Sequence, residues 1–208
     1  MSLDEVSHLR GRERNILIGV CTYDFSQLHD LIRILKERHI PHALLEPSSI
    51  WETKMDCLIL DRDMEPPSFS LTDPPVVDLT SDANLTVERA IATSFGKSSP
   101  HELIAGIDPG KRPGIAFLAD GTLISARRSA GPGAVVEIML SARRAYMPET
   151  MLVRVGDGDP GQGEVILSDL RGAGFRTELV DESKTTRTKR YRDENAAVLI
   201  ARTPGEPY

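Results

Sequence analysis

The chain has 208 residues, 40% of them apolar and 27% charged, with a net charge of −6. That is the make-up of an ordinary globular protein with room for one large domain or two small ones. No apolar stretch approaches the ~20 residues of a membrane helix, the opening MSLDEVSHLRGRER lacks the apolar core of a secretory leader, and the acidic balance argues against a protein that coats nucleic acid.

The first elements alternate strand and helix. Residues 15–20 (NILIGV) form a short β-rich run, and Asp24 then suits a helix N-cap. The spacing of Leu28, Leu31, Ile32 and Leu35 predicts one apolar face on a helix that ends before Ile40-Pro41. Strands follow over 42–45, 57–60 and 76–79, the last two separated by the proline-rich MEPPSFSLTDPP, and a helix covers 84–95. This β-α-β-β-β-α order predicts a small α/β domain with a mostly parallel sheet over residues 1–97, to which the sequence assigns no role. A receiver-type phosphotransfer site is not expected there, because paired acids after the first strand and a later lysine in the right context are lacking. Cys21 and Cys57 fall in separate apolar runs and read as isolated core thiols. That suits a reducing compartment, so the expected location is cytoplasmic.

Residues 98–208 have a different rhythm. LIAGID (103–108) is a strand ending in a carboxylate, 114–118 is a second strand, Asp120-Gly121 makes a hairpin turn, and 122–127 is a third. A helix over 134–146 places Val135, Ile138, Met139 and Ala142 on one side. A strand over 151–155, a helix over 161–171, a strand over 176–180 and a helix over 192–202 complete a βββαβαβα order. All of the net charge lies in the first 100 residues, so this half is neutral overall.

Acids recur where these strands end or the last helix begins: Asp108, Asp157 and Asp159, Asp181 and Glu182, Asp193 and Glu194. The C-terminal ends of parallel strands share one crevice. Carboxylates crowded there repel one another unless hard divalent cations neutralise them. The stretch VRVGDGDPGQGE also spells G-x-G-x-x-G at Gly156, Gly158 and Gly161, the pattern of a dinucleotide loop. Two aspartates between those glycines would oppose a pyrophosphate on a helix N-terminus, so a metal loop is the better reading.

GIDPGKRPGIAFLADGTLI resembles the first hairpin of RNase H-like nucleases of the RuvC resolvase and YqgF type. VRVGDGDPGQGE, VDESKTT and RDENAAVLIA are similar, in order, to that group's fourth strand and turn, fifth-strand acidic motif and last helix. The resemblance spans about residues 101–203 and implies an RNase H-like mixed sheet holding Mg²⁺ or Mn²⁺. It implies Asp108 as the central ligand, Asp157 or Asp159 as the fourth-strand acid, Asp181, with Glu182 beside it, at the fifth strand, and Asp193 on the last helix. An activated water would cleave a phosphodiester in DNA or RNA, linear or branched, leaving a 3′-OH and a 5′-phosphate. An Asp where the resolvases carry Glu at the fourth strand, and Glu194 directly after Asp193, depart from the resolvase pattern.

The basic run KTTRTKRYR, with Lys184, Arg187, Lys189, Arg190 and Tyr191, could bind phosphates and stack on a base, helped by Lys111 and Arg112 next to Asp108. The expected partner is nucleic acid, no membrane is expected, and a homodimer is left open. The rival readings are a worn-down RNase H-like module that binds nucleic acid or protein without cutting, and an actin-like or sugar-kinase ATPase. The latter would need a second domain and a second phosphate loop. The five histidines show no metal-ligand spacing.

Overall fold

The computed structural model describes residues 16–64, 74–182 and 193–208. The chain divides into two compact units, one comprising Met1–Ser98 with Arg144–Tyr146 and the other Ser99–Arg143 with Met147–Tyr208.

In the first unit β1 (Ile18–Cys21), β2 (His42–Leu44), β3 (Cys57–Leu60) and β4 (Val76–Asp78) form a wholly parallel sheet in the order β2-β1-β3-β4. The two central strands, IGVC and CLIL, are buried along their whole length, as parallel strands covered on both faces must be. Helix α1 (Phe25–Glu37) starts at Asp24, whose carboxylate accepts from the Ser26 and Gln27 amides at 3.0 Å. Its deepest face is Leu31, Ile34 and Leu35, so Ile34 takes the core place that the spacing gave to Ile32. With α2 (Ala83–Ser94) it packs on Ile18, Val20, Cys57 and Ile59. The opposite face, Cys21, Leu58 and Leu60, is covered by Ile50 and Met55, where a 3-10 turn (Pro47–Glu52) runs that the sequence does not announce. Glu88, 1% exposed, is neutralised by Arg38 at 3.0 Å.

In the second unit β5 (Glu102–Asp108), β6 (Gly114–Ala119) and β7 (Thr122–Arg128) make an antiparallel meander. Asp120 and Gly121 turn β6 into β7 at φ 45° and 74°, the left-handed pair that a two-residue hairpin needs. Helix α3 (Val135–Tyr146) leads to β8 (Thr150–Gly156), helix α4 (Pro160–Gly172) to β9 (Arg176–Val180), and helix α5 (Asp193–Arg202) to a short β10 (Glu206–Pro207). The sheet order is β10-β9-β8-β5-β6-β7, with β8 and β9 parallel to β5. The first strand of the unit therefore lies inside the sheet, with β8 on one side and β6 on the other.

Helix α5 seats on β5 at a glycine. A Cβ on Gly106 would stand 2.6 Å from the Ala201 Cβ and closer still to the Ala197 carbonyl and the Ala201 nitrogen. Gly106 opposes Ala116, which opposes Ala126, so a row of three small residues receives the Ala197 and Ala201 face of the helix. Arg154, opposite Gly106 on β8, ties the far end of this packing by donating to the Ala201 carbonyl at 2.7 Å and to Glu178 at 2.8 Å.

Candidate functional site

Asp108 is the last residue of β5 and half-buried. Successive side chains of a strand alternate between faces. Two residues past Gly106, the Asp108 side chain therefore leaves the sheet on the face that α5 covers. It opposes Gly114 on β6, which opposes Arg128 on β7. Its β8 neighbour is also a glycine, since Ile107 pairs with Val155 and Gly156 follows.

The β8–α4 turn shows what the glycines are for. Asp157 is exposed; its amide donates to the Val180 carbonyl at 3.1 Å and its Oδ1 accepts from the Glu182 amide at 2.9 Å. The Gly158 amide donates to Glu182 Oε1 at 3.0 Å. The Glu182 carboxylate lies over both glycines: a Cβ on Gly156 would come within 2.8 Å of its Cδ and of Ile200 Cδ1, and one on Gly158 within 2.9 Å of Oε1. Asp159 caps α4, accepting from the Gln162 amide at 3.1 Å, while its carbonyl accepts from Gly163 at 2.8 Å. The amides a dinucleotide loop would offer to phosphate are thus met by this chain's own carboxylates, and a side chain fills the space over the glycines.

At the end of β9 stand two neighbouring acids. Glu178 shares the α5-side face with Arg154, and the Glu182 carboxylate, over Gly156 and near Ile200 Cδ1, lies on that same side, while Asp181 is half-buried. Burial pushes the Glu182 carboxyl above the ordinary glutamate range; the Gly158 amide pulls against that shift and the Asp157 charge adds to it. The Glu182 carboxylate thus leans across β8 on the face that Asp108 uses.

Asp108, Asp157, Asp181 and Glu182 thus stand at the C-terminal ends of three adjacent parallel strands. Among the described residues, no three His, Cys, Asp or Glu side chains stand close enough together to hold a metal ion. Asp193 opens α5, but its side chain lies outside the described part, as do Lys184, Arg187, Lys189, Arg190 and Tyr191. Lys111 and Arg112 are exposed in the turn after Asp108. Sequence reasoning missed Arg128 and the glycines flanking Asp108. Pairing outward from Asp120-Gly121 in a regular hairpin would set Gly114 opposite Arg127; a register shift between Phe117 and Leu118 moves the partner to Arg128, and no local signal marks that shift.

In the first unit the C-terminal ends of β1 and β3 flank the point where the strand order reverses, the usual ligand crevice of such sheets. Asp61 spans it, accepting from the Thr22 hydroxyl at 2.6 Å and the Tyr23 amide at 2.9 Å. Both of its oxygens hold the β1–α1 turn.

No helix among the described residues is long and apolar enough to cross a membrane. Searches with the chain find no matching family model, no matching characterised protein and no matching solved structure.

Proposed function

We propose that the second unit is an RNase H-like domain that hydrolyses phosphodiester bonds of DNA or RNA with Mg²⁺ or Mn²⁺. One observation carries the reading: Asp108 ends an inner strand of a sheet ordered third-second-first-fourth-fifth, beside the acid-bearing ends of two parallel strands and on the face of the last helix. The donor set is all carboxylate, which suits hard divalent cations rather than zinc or copper. Asp108 would be the central holder, joined by Glu182 or Asp181, by Asp157 and by Asp193. When bound, such ions supply an activated water and neutralise charge on the scissile phosphate. The chain's own part is to hold these acids on rigid strand ends, with Lys111 and Arg112 beside them to attract the phosphate backbone.

A second reading, a module that binds without cutting, is favoured by the hydrogen bonds in which Asp157 Oδ1 accepts from the Glu182 amide and Glu182 Oε1 from the Gly158 amide, so that one oxygen of each acid is engaged within the chain itself. One experiment separates the two: incubate the protein with labelled four-way junction, duplex and single-stranded DNA, RNA and RNA–DNA hybrid in Mn²⁺. The nuclease reading expects cleavage of at least one substrate, lost with chelator and with Asp108→Asn. Binding without cleavage of any substrate supports the second reading. Cleavage that survives in Asp108→Asn refutes the assignment of the centre.

A further inference from the structure

We propose that the end of the β5–β6–β7 meander next to Asp108 is a phosphate-gripping rim, with Arg128 as its anchor and Lys111 and Arg112 beside it, across which a nucleic-acid backbone runs. The proposal rests on the nuclease reading for the location of the reacting centre and adds the path of the substrate.

The register carries it. Asp108, Gly114 and Arg128 oppose one another across three neighbouring strands, so the Asp108 and Arg128 side chains leave the same face of the sheet. Strands are spaced ~4.8 Å apart, which puts the two Cα atoms roughly 10 Å apart. Gly114 brings no side chain of its own between them. An arginine at that distance suits a phosphate near the one held at Asp108, without competing for it.

The rim is one mechanical piece. The Ser129 amide, directly after Arg128, donates to the Pro113 carbonyl at 2.7 Å, and a Cβ on Gly131 would meet the Lys111 carbonyl oxygen at 3.9 Å. The turn that carries Lys111 and Arg112 is thereby fixed to the end of β7. Charge is also segregated along the meander. Lys111, Arg112 and Arg128, all exposed, stand at the Asp108 end, while Glu102 and Asp120, also exposed, stand at the other, where the Glu102 amide donates to Asp120 Oδ1 at 3.0 Å. Along β6 and β7, a phosphate backbone meets cationic partners at the Asp108 end and carboxylates at the other.

The test is anisotropy titration of fluorescein-labelled single-stranded and duplex DNA with the full chain in EDTA, from low to high salt. Binding is then read without cleavage. One lost phosphate contact removes about 0.9 from the slope of log K against log salt, or about eightfold in affinity between ~1 M and ~0.1 M salt. Arg128→Gln is expected to show that loss equally on unrelated sequences, and Arg128→Lys to keep the slope. Arg171→Gln, on α4 and stacked over Tyr208, is expected to change neither. Asp108→Asn is expected to bind as tightly as wild type or tighter, so failure of the cleavage reading leaves this result standing. Unchanged affinity and slope in a folded Arg128→Gln, or no binding of either DNA by the wild type in EDTA, overturns the rim.

Discussion

Replacing Gly106 by alanine should cost the second unit about 3 kcal/mol. On propensity alone the change is favourable, since alanine is better than glycine in a strand by roughly 0.5–1 kcal/mol. Sterics decide otherwise. The new Cβ would sit 2.6 Å from the Ala201 Cβ and nearer still to two backbone atoms of α5, against an ordinary carbon–carbon contact of ~3.5–4.0 Å. Backbone cannot rotate away, so the helix must retreat by about 1 Å. A gap of that size forfeits roughly a quarter to a half of each dispersion well along its buried face, Ala197, Val198, Ile200 and Ala201. Overpacking typically costs 1–3 kcal/mol, and a clash with backbone belongs at or beyond the top of that range. Native-state hydrogen exchange reads this unit by itself. The slowest amides of β5 and β6 should exchange about two orders of magnitude faster. Because α5 carries Asp193, the same shift should also lower any cleavage by roughly a hundredfold. A loss below about 1 kcal/mol would refute the claim that α5 seats on Gly106.

Three further outcomes follow from contacts already described. Asp159→Ala should destabilise α4 by ~1 kcal/mol through loss of its cap and leave Mn²⁺ binding by calorimetry unchanged; weakened binding would make Asp159 a ligand as well. Glu182 titrates above its unfolded value in the native state, so its contribution to stability is full below the ordinary glutamate pKa and lost as pH rises through the raised one. Glu182→Gln, which can still accept from Gly158, should therefore flatten the fall in urea midpoint that sets in as pH rises above about 4, and an unchanged curve would sink the argument. Burial, then the Asp56 charge, pushes the Cys57 thiol up to about 12, and burial, then Asp61, raises Cys21. Neither should react with iodoacetamide in the native state, whereas both should react in denaturant; rapid native labelling would contradict the buried placement.

The course of the chain through both units was largely legible because its signals are local. The apolar run LIAGID closing on a carboxylate, the Asp120-Gly121 turn and the cap at Asp24 each depend on neighbours a few residues away. The 3-10 turn at Pro47–Glu52 was not legible, since PSSIWE has no apolar period, and its capping contacts between Glu46 and Ser49 resemble any polar turn. No local signal in LIAGID calls for the glycine at 106. Its reason, a helix ninety-odd residues later in sequence, is tertiary. The candidate site was legible as a list of acids at strand ends, but not as an arrangement. That the Glu182 carboxylate lies over Gly156 depends on how the chain leaves β9, and that Asp159 caps a helix depends on where α4 begins. Composition and motif order contain neither.

The seat of α5 also bears on how the second unit is made. Strand β5 leaves the ribosome first, yet one face of it stays uncovered until α5 has been synthesised, some five to twenty seconds later at ~5–20 residues per second. The four strands of the first unit are complete well before then. Through that wait the Gly106–Ala116–Ala126 row exposes little more than backbone and methyl groups. A nascent chain with leucine or valine there would offer a larger apolar surface to chaperones and to neighbouring chains. The small residues that let the last helix dock closely also leave the unfinished domain less adhesive.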